Sequence, residues 1–306
     1  MSGFQGQAAD RRQAANRIDL AFERARAEKR LALVGLVGPS PAPHTESLEM
    51  ASVFAGVGFD VVMVGLPTPY PWMEGETLQK NQRLAFSRGL EPASGFATLA
   101  AVRRVHPDLA LTALTMASAA AWIGPAEFAA ALEASGADGL DMADYPRVSQ
   151  ADPWGLCRDL TRRGKHSINP IGFNLVEAPS GTPEATLLRA LVRESSGFLF
   201  LMADAGGTSG ARDRLPTDRL AAGVAAIRQV ERQEGVDTPV VVVCGVSTPE
   251  QVADLRCKAG ADGAMIGSAF VRELHRGRRP RELQDLAGAL AAAARAGAEP
   301  AEETKR

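Results

Sequence analysis

The chain has 306 residues, 45% of them hydrophobic, with 34 Lys plus Arg against 36 Asp plus Glu. That length and apolar share support a full core, and a formal net charge of −2 offers no basic field to draw nucleic acid or an anionic membrane. Cys157, Cys244 and Cys257 make no CxxC pair and the four histidines are scattered, so neither a disulfide framework nor a metal site is expected.

In chain order, Met1–Gln7 is small and polar and reads as a flexible N-terminus with no apolar signal region. An amphipathic stretch near Ala8–Lys29 reads as a helix ahead of the first strand. Eight short apolar segments follow: Leu31–Val37, Asp60–Gly65, Leu109–Met116, Gly139–Ala143, Ser167–Ile171, Phe198–Ala203, Val240–Cys244 and Ala264–Gly267. Helical stretches separate them. The strands are uniformly apolar rather than alternating, which predicts a parallel sheet covered on both faces. The tail "AGAEPAEETKR" is charged and reads as flexible. The expected organisation is a flexible 1–7, a single domain over 8–292 and a flexible tail over 293–306. No uncharged run reaches membrane-spanning length, and a cytoplasmic protein is the simplest reading.

A short signature recurs at three strand entrances: Gly58-Phe59-Asp60, Gly136-Ala137-Asp138 and Gly260-Ala261-Asp262. Each ends an Ala-rich helical stretch, where Gly accepts the left-handed conformation and lets the chain turn into the strand. Eight β/α units in about 250 residues predict a TIM (β/α)8 barrel with an extra N-terminal helix. The rival is a doubly wound open sheet. It calls for a phosphate loop after strand one, and "VGLVGPSPAPHTE" is not GxGxxG.

A barrel of this kind works at the C-terminal ends of its strands, often with phosphate bound after strands seven and eight. Strand six here runs into Ala205-Gly206-Gly207-Thr208-Ser209-Gly210, strand seven into Cys244-Gly245-Val246-Ser247-Thr248-Pro249, and strand eight into Gly267-Ser268-Ala269. Glycine lets backbone N–H groups approach an anion, and helix N-termini add their dipole. Plain turns are the alternative. Three such loops on consecutive strands point to a phosphorylated ligand.

The run VMVGLPTPYPWMEGETLQ resembles the second strand and loop of the tryptophan synthase alpha subunit family, LELGVPFSDPxADGPxIQ, without a gap. Leu199–Gly210, VVCGVSTPEQV, GADGAMIGSAFV and GADGLDMADYP resemble that family's strands six, seven, eight and four. The resemblance spans about Arg17–Leu274. It implies a cofactor-free lyase that splits indole-3-glycerol phosphate into indole and glyceraldehyde 3-phosphate. Its phosphate site carries over to Gly210, Gly245, Gly267 and Ser268. Its acid–base pair does not. The strand-two glutamate aligns with Met63 and the strand-six tyrosine with Phe200; neither side chain moves a proton. The loop aspartate aligns with Glu74, which keeps a carboxyl. Asp141 stands where the family is apolar and faces the substrate; alternation places it with Ala143 on one side of the strand and Met142 with Asp144 on the other. The reading is therefore a remodelled pocket. Glu74 and Asp141 are the catalytic candidates, Met63, Ala143, Phe200 and Cys244 line the pocket, and Asn169 and Asp204 are further polar candidates. Asp144 and His166 read as structural. A catalytically inactive homologue serving as a ligand-binding or partner subunit is the alternative. Family members dock on a beta subunit that uses pyridoxal phosphate, so a beta-subunit-like partner is implied. Tyr70 and Trp72 alter the loop that makes this contact, as new anchors or as a lid.

Overall fold

Eight parallel strands close into a barrel in chain order, with β8 pairing back onto β1. The computed structural model describes residues 16–39, 45–145, 148, 151–203 and 214–296. The first half contains α1 (Arg17–Ala27), β1 (Ala32–Val37), α2 (Thr45–Val57), β2 (Val61–Gly65), α3 (Glu76–Ser87), α4 (Pro92–Val105), β3 (Ala110–Thr115), α5 (Ala117–Ile123), α6 (Pro125–Ala134), β4 (Gly139–Met142) and α7 (Leu156–Arg162). The second contains β5 (His166–Ile171), α8 (Phe173–Val176), α9 (Pro183–Glu194), β6 (Leu199–Met202), α10 (Thr217–Glu234), β7 (Val240–Val243), α11 (Pro249–Asp254), β8 (Gly263–Ile266), α12 (Ser268–His275) and α13 (Gln284–Arg295). Every predicted strand is present, with ends that agree within one residue. The last helix runs to Arg295, past the expected boundary at 292, because Ala294 is still buried against the core.

Alternation along the strands divides the core in two. Val34, Leu36, Val61, Met63, Ala110, Leu114, Ile168, Phe200, Val241 and Met265 fill the barrel. Leu33, Val62, Val64, Leu111, Leu140, Met142, Leu199 and Val242 face outward under the helices. Burial on both sides is why these strands read as continuous apolar runs. Helix α1 plugs the N-terminal end: Ile18, Ala21, Phe22 and Ala25 join the interior cluster, and Phe22 lies 5.4 Å from Phe198. Asn16 caps this helix in a capping box with Asp19, and its Nδ2 donates to the Asp138 carbonyl at 2.8 Å.

The repeated Gly-x-Asp signature has a shared structural purpose. Gly58, Gly136 and Gly260 have φ of 91, 77 and 66°. The aspartate two residues on makes a reciprocal pair with the preceding strand. Asp60 N–H donates to the Leu33 carbonyl at 2.9 Å, and the Asp60 carboxylate accepts the Leu33 N–H at 2.9 Å. Asp138 does the same with Leu111, at 2.7 and 2.9 Å, and Asp262 with Val240, at 2.9 and 2.7 Å. Each carboxylate is also held by arginine: Arg30 on Asp60, Arg17 and Arg103 on Asp138, Arg228 on Asp262. At β6 the device recurs with serine. Ser196 N–H donates to Ser167 and Ser196 Oγ accepts the Ser167 N–H, both at 3.0 Å.

Candidate active site at the C-terminal end of the barrel

The chain leaves β2 through Leu66–Gly75, a loop with prolines at 67, 69 and 71. Proline supplies no N–H and disfavours helix, so this segment cannot coil. It turns back at Glu74, whose N–H donates to the Pro71 carbonyl at 3.1 Å, and enters α3 at Gly75. Thr68 Oγ1 lies 2.9 Å from Ser118 Oγ at the start of α5. Trp72 Nε1 donates to Asp144 Oδ2 at 2.9 Å, while Asp144 Oδ1 accepts the Ala117 N–H at 2.6 Å. The loops after β2, β3 and β4 are thus tied together by side chains, and Asp144 has the structural role expected of it.

Glu74 is 7% exposed. Gln82 Nε2 donates to its Oε1 at 3.1 Å, and its Oε2 is buried with no hydrogen-bond partner. Burial pushes the carboxyl up to about 7, against a smaller downward pull from Gln82. A carboxyl near neutrality can both give and take a proton at physiological pH, and strong desolvation of this kind is a mark of working acids.

Asp141 is 4% exposed. Its neighbours Leu140 and Met142 belong to the outer shell, and Ala143 packs on the interior cluster. Asp141 is therefore on the inner face with Gly139 and Ala143, as alternation predicts. It is level with Leu114 on β3 and Ile168 on β5, and Leu114 is level with Gly65, the last residue of β2. Met63 lies one layer deeper, level with Leu36, Thr112 and, through Thr112, Gly139. Gln82 Nε2 also reaches the Leu66 carbonyl at 3.4 Å, so Glu74 and Asp141 are both at the C-terminal end of the barrel, above Met63.

Phe200 and Cys244 complete the interior wall. Phe200 stands edge-on to Phe198, 5.1 Å away. Cys244 has φ of 73°, unusual for a residue with a Cβ, and Gly245 follows at 102°. This left-handed pair carries the chain out of β7 and into the loop that enters α11. There Thr248 forms a capping box with Gln251, whose Oε1 also accepts the Ser247 N–H at 2.7 Å. Gly267 caps α12, and a Cβ there would stand 2.8 Å from Leu36 Cδ2, so only glycine lets β8 close on β1 at this level. Ser268, in the first turn of α12, is buried. Gly245, Gly267 and Ser268 are thereby gathered at the ends of the paired strands β7 and β8. Gly210 and Asp204 lie outside the described residues.

Asn169 does not join the site. Its neighbour Ile168 faces the interior, whereas Asn169 Nδ2 donates to Ser195 Oγ at 2.7 Å on the helix side. His166 is at the opposite, N-terminal end of β5, its Nε2 3.0 Å from Asp19 of α1. Among the described residues, no three His, Cys, Asp or Glu side chains converge as a metal site, and no helix is long and apolar enough to cross a membrane. A separate cavity of about 340 Å³ opens between α2, α3 and α12, lined by Gly38, Glu46, Lys80, Asn81, Arg88 and His275 among others. It contains none of the residues singled out from sequence.

Sequence reasoning missed Gln82, Thr68 and Ser118. The signal for Gln82 was its place, at i+4 from Leu78, on the face of α3 that turns inward. Leu78, Asn81, Gln82 and Ala85 are the buried positions of one face of α3, and a polar side chain there must find partners.

Residues 22–299 match the family model for the tryptophan synthase alpha chain. The tryptophan synthase alpha chain of Methanosarcina mazei is 29% identical over 275 residues, 90% of this chain and 93% of that one. That of Rhizorhabdus wittichii is 30% identical over 286 residues, 92% of this chain and 98% of its own. A solved structure of Mycobacterium tuberculosis tryptophan synthase superposes with a TM-score of 0.77 at 27% identity, covering 92% of this chain and 100% of that one. A family-model match over residues 22–299, with the same barrel fold, means that the chain belongs to the tryptophan synthase alpha chain family.

Proposed function

We propose that the chain is a carbon–carbon lyase acting on a phosphorylated small molecule, indole-3-glycerol phosphate or an analogue, through a remodelled acid–base site. The observation that carries this reading is the buried Glu74 carboxyl, with one oxygen unpartnered and its titration moved up to about 7. Gly245, Gly267 and Ser268, with Gly210 by resemblance, are the candidates for the phosphate. Breaking the bond between the indole ring carbon and its side chain needs a proton delivered to that carbon and another removed from the side-chain hydroxyl, whose oxygen becomes the aldehyde of the released fragment. Glu74 is the candidate for one of these transfers and Asp141, on the inner face of β4, for the other. Met63 stands where the family has its strand-two glutamate, so no carboxyl acts from that depth. General acid–base catalysis contributes about 10²–10⁴-fold, and the parent reaction should be slowed on that scale unless Asp141 replaces the missing group.

The second reading is a binding subunit without turnover. It is favoured by the wall of Met63, Phe200 and Cys244, which holds no carboxyl. By family membership, a beta-subunit-like protein is the proposed partner under both readings, docking over the loop that carries Tyr70 and Trp72, 71% and 64% exposed.

The test is indole release from indole-3-glycerol phosphate, with binding followed by calorimetry in parallel. The lyase reading expects turnover that Glu74→Ala abolishes while binding persists, and Met63→Glu should raise it. Binding without turnover in the wild type would establish the second reading. Neither binding nor turnover would overturn both for this substrate.

A further inference from the structure

Gln82 is buried, on the inner face of α3. Its Oε1 accepts the Thr68 N–H at 3.0 Å, and its Nε2 donates to Glu74 Oε1 at 3.1 Å and reaches the Leu66 carbonyl at 3.4 Å. The orientation of the amide follows from its partners. A backbone N–H can only donate, so the atom facing Thr68 must be the carbonyl oxygen, and the atom facing Glu74 must be the NH₂. Glu74 Oε1 is therefore an acceptor whether the carboxyl is charged or neutral. Glu74 Oε2 is buried without a partner.

We propose that Gln82 is a positioning residue for Glu74. Its carboxamide fixes Oε1, assigns the exchangeable proton to Oε2, and fastens the loop after β2 to α3 through Thr68. The relay continues from Thr68 Oγ1 to Ser118 Oγ, so the loop after β3 supports the same carboxyl. Among the described residues, no cation takes part. Burial and Gln82 are the two causes of the shift at Glu74. The charged residues of α3, Glu76, Lys80 and Arg83, are exposed, and Asp144 across the loop is engaged by Trp72 and Ala117. A neutral amide can hold a carboxyl in place without forcing it to ionise, which an arginine or lysine in the same position would do. That suits a group that must pass between both states.

What the proton then does rests on the lyase reading; where it sits does not. The experiment separates the two. The Glu74 carboxyl is titrated by difference infrared spectroscopy against Glu74→Gln, in the wild type and in Gln82→Met, which keeps the length and loses all three hydrogen bonds. The wild type should titrate near pH 7 and Gln82→Met at higher pH, with faster amide exchange at Thr68. If Gln82→Met does not fold, Gln82→Asn withdraws the donor by one methylene and is read in the same way. A titration that Gln82 substitution leaves unmoved would overturn the proposal. With indole-3-glycerol phosphate, the limb of the kcat/KM–pH profile should move with the titration. If the wild type shows no turnover, the lyase reading fails, and the spectroscopic arm still decides the role of Gln82.

Discussion

A carboxyl with one oxygen on a neutral amide and the other on nothing has no cation to hold its charge, and its folded state prefers the proton. For Glu74 the consequence for stability can be signed. Its titration is raised from 4.5 to about 7. Below about pH 4.5 the group is neutral in both the folded and unfolded chain and costs nothing. As pH rises the unfolded chain ionises first, so stability falls until about pH 7 and is then constant, a loss on the order of 3 kcal/mol. Glu74→Gln removes that titration while leaving an acceptor for Gln82. Its Tm should lie above that of the wild type at pH 8 and meet it near pH 5; parallel melting curves across that range would contradict the burial argument. Glu74 itself could be picked from sequence, as the single acid in a proline-rich loop. Its burial could not, because that depends on Gln82 lying eight residues on and on Thr68 meeting Ser118, 50 residues away. Asp141 was legible to the face of its strand, since period-two alternation is enough to choose the side.

Among the elements, the strand entrances show both the reach and the limit of pattern reading. Gly-x-Asp marks β2, β4 and β8, and glycine and apolar runs located all three. What the aspartate does, composition cannot show: its carboxylate accepts a neighbouring strand's N–H and binds arginine. At β6 the device was hidden because Ser196 precedes the glycine instead of following it. The two versions should differ measurably. Asp138→Ala leaves the buried Leu111 N–H and two arginines without their acceptor and should cost about 3 kcal/mol. Ser196→Ala removes a single neutral acceptor and should cost about 1 kcal/mol. Urea unfolding of the two variants checks this, and equal losses would show that the carboxylates add nothing over a hydroxyl.

Across the whole molecule, the four reciprocal pairs join β1 to β2, β3 to β4, β5 to β6 and β7 to β8. The barrel is thus sealed at its N-terminal rim in four two-strand staves. A chain cut between staves should behave differently from one cut within a stave. Severed at Gly164, between α7 and β5, each fragment keeps two complete pairs. Severed at Gly124, between α5 and α6, Leu111 and Asp138 fall on different fragments, and their contact must be made by two separate molecules at far lower effective concentration. Co-expressed fragments divided at Gly164 should co-purify and unfold as one cooperative unit, and fragments divided at Gly124 should associate more weakly. Equal association would mean that the staves are a description of the rim and not units of its assembly. If they are units, this barrel can be opened, shuffled or rejoined at three places without touching the carboxyls at its other end.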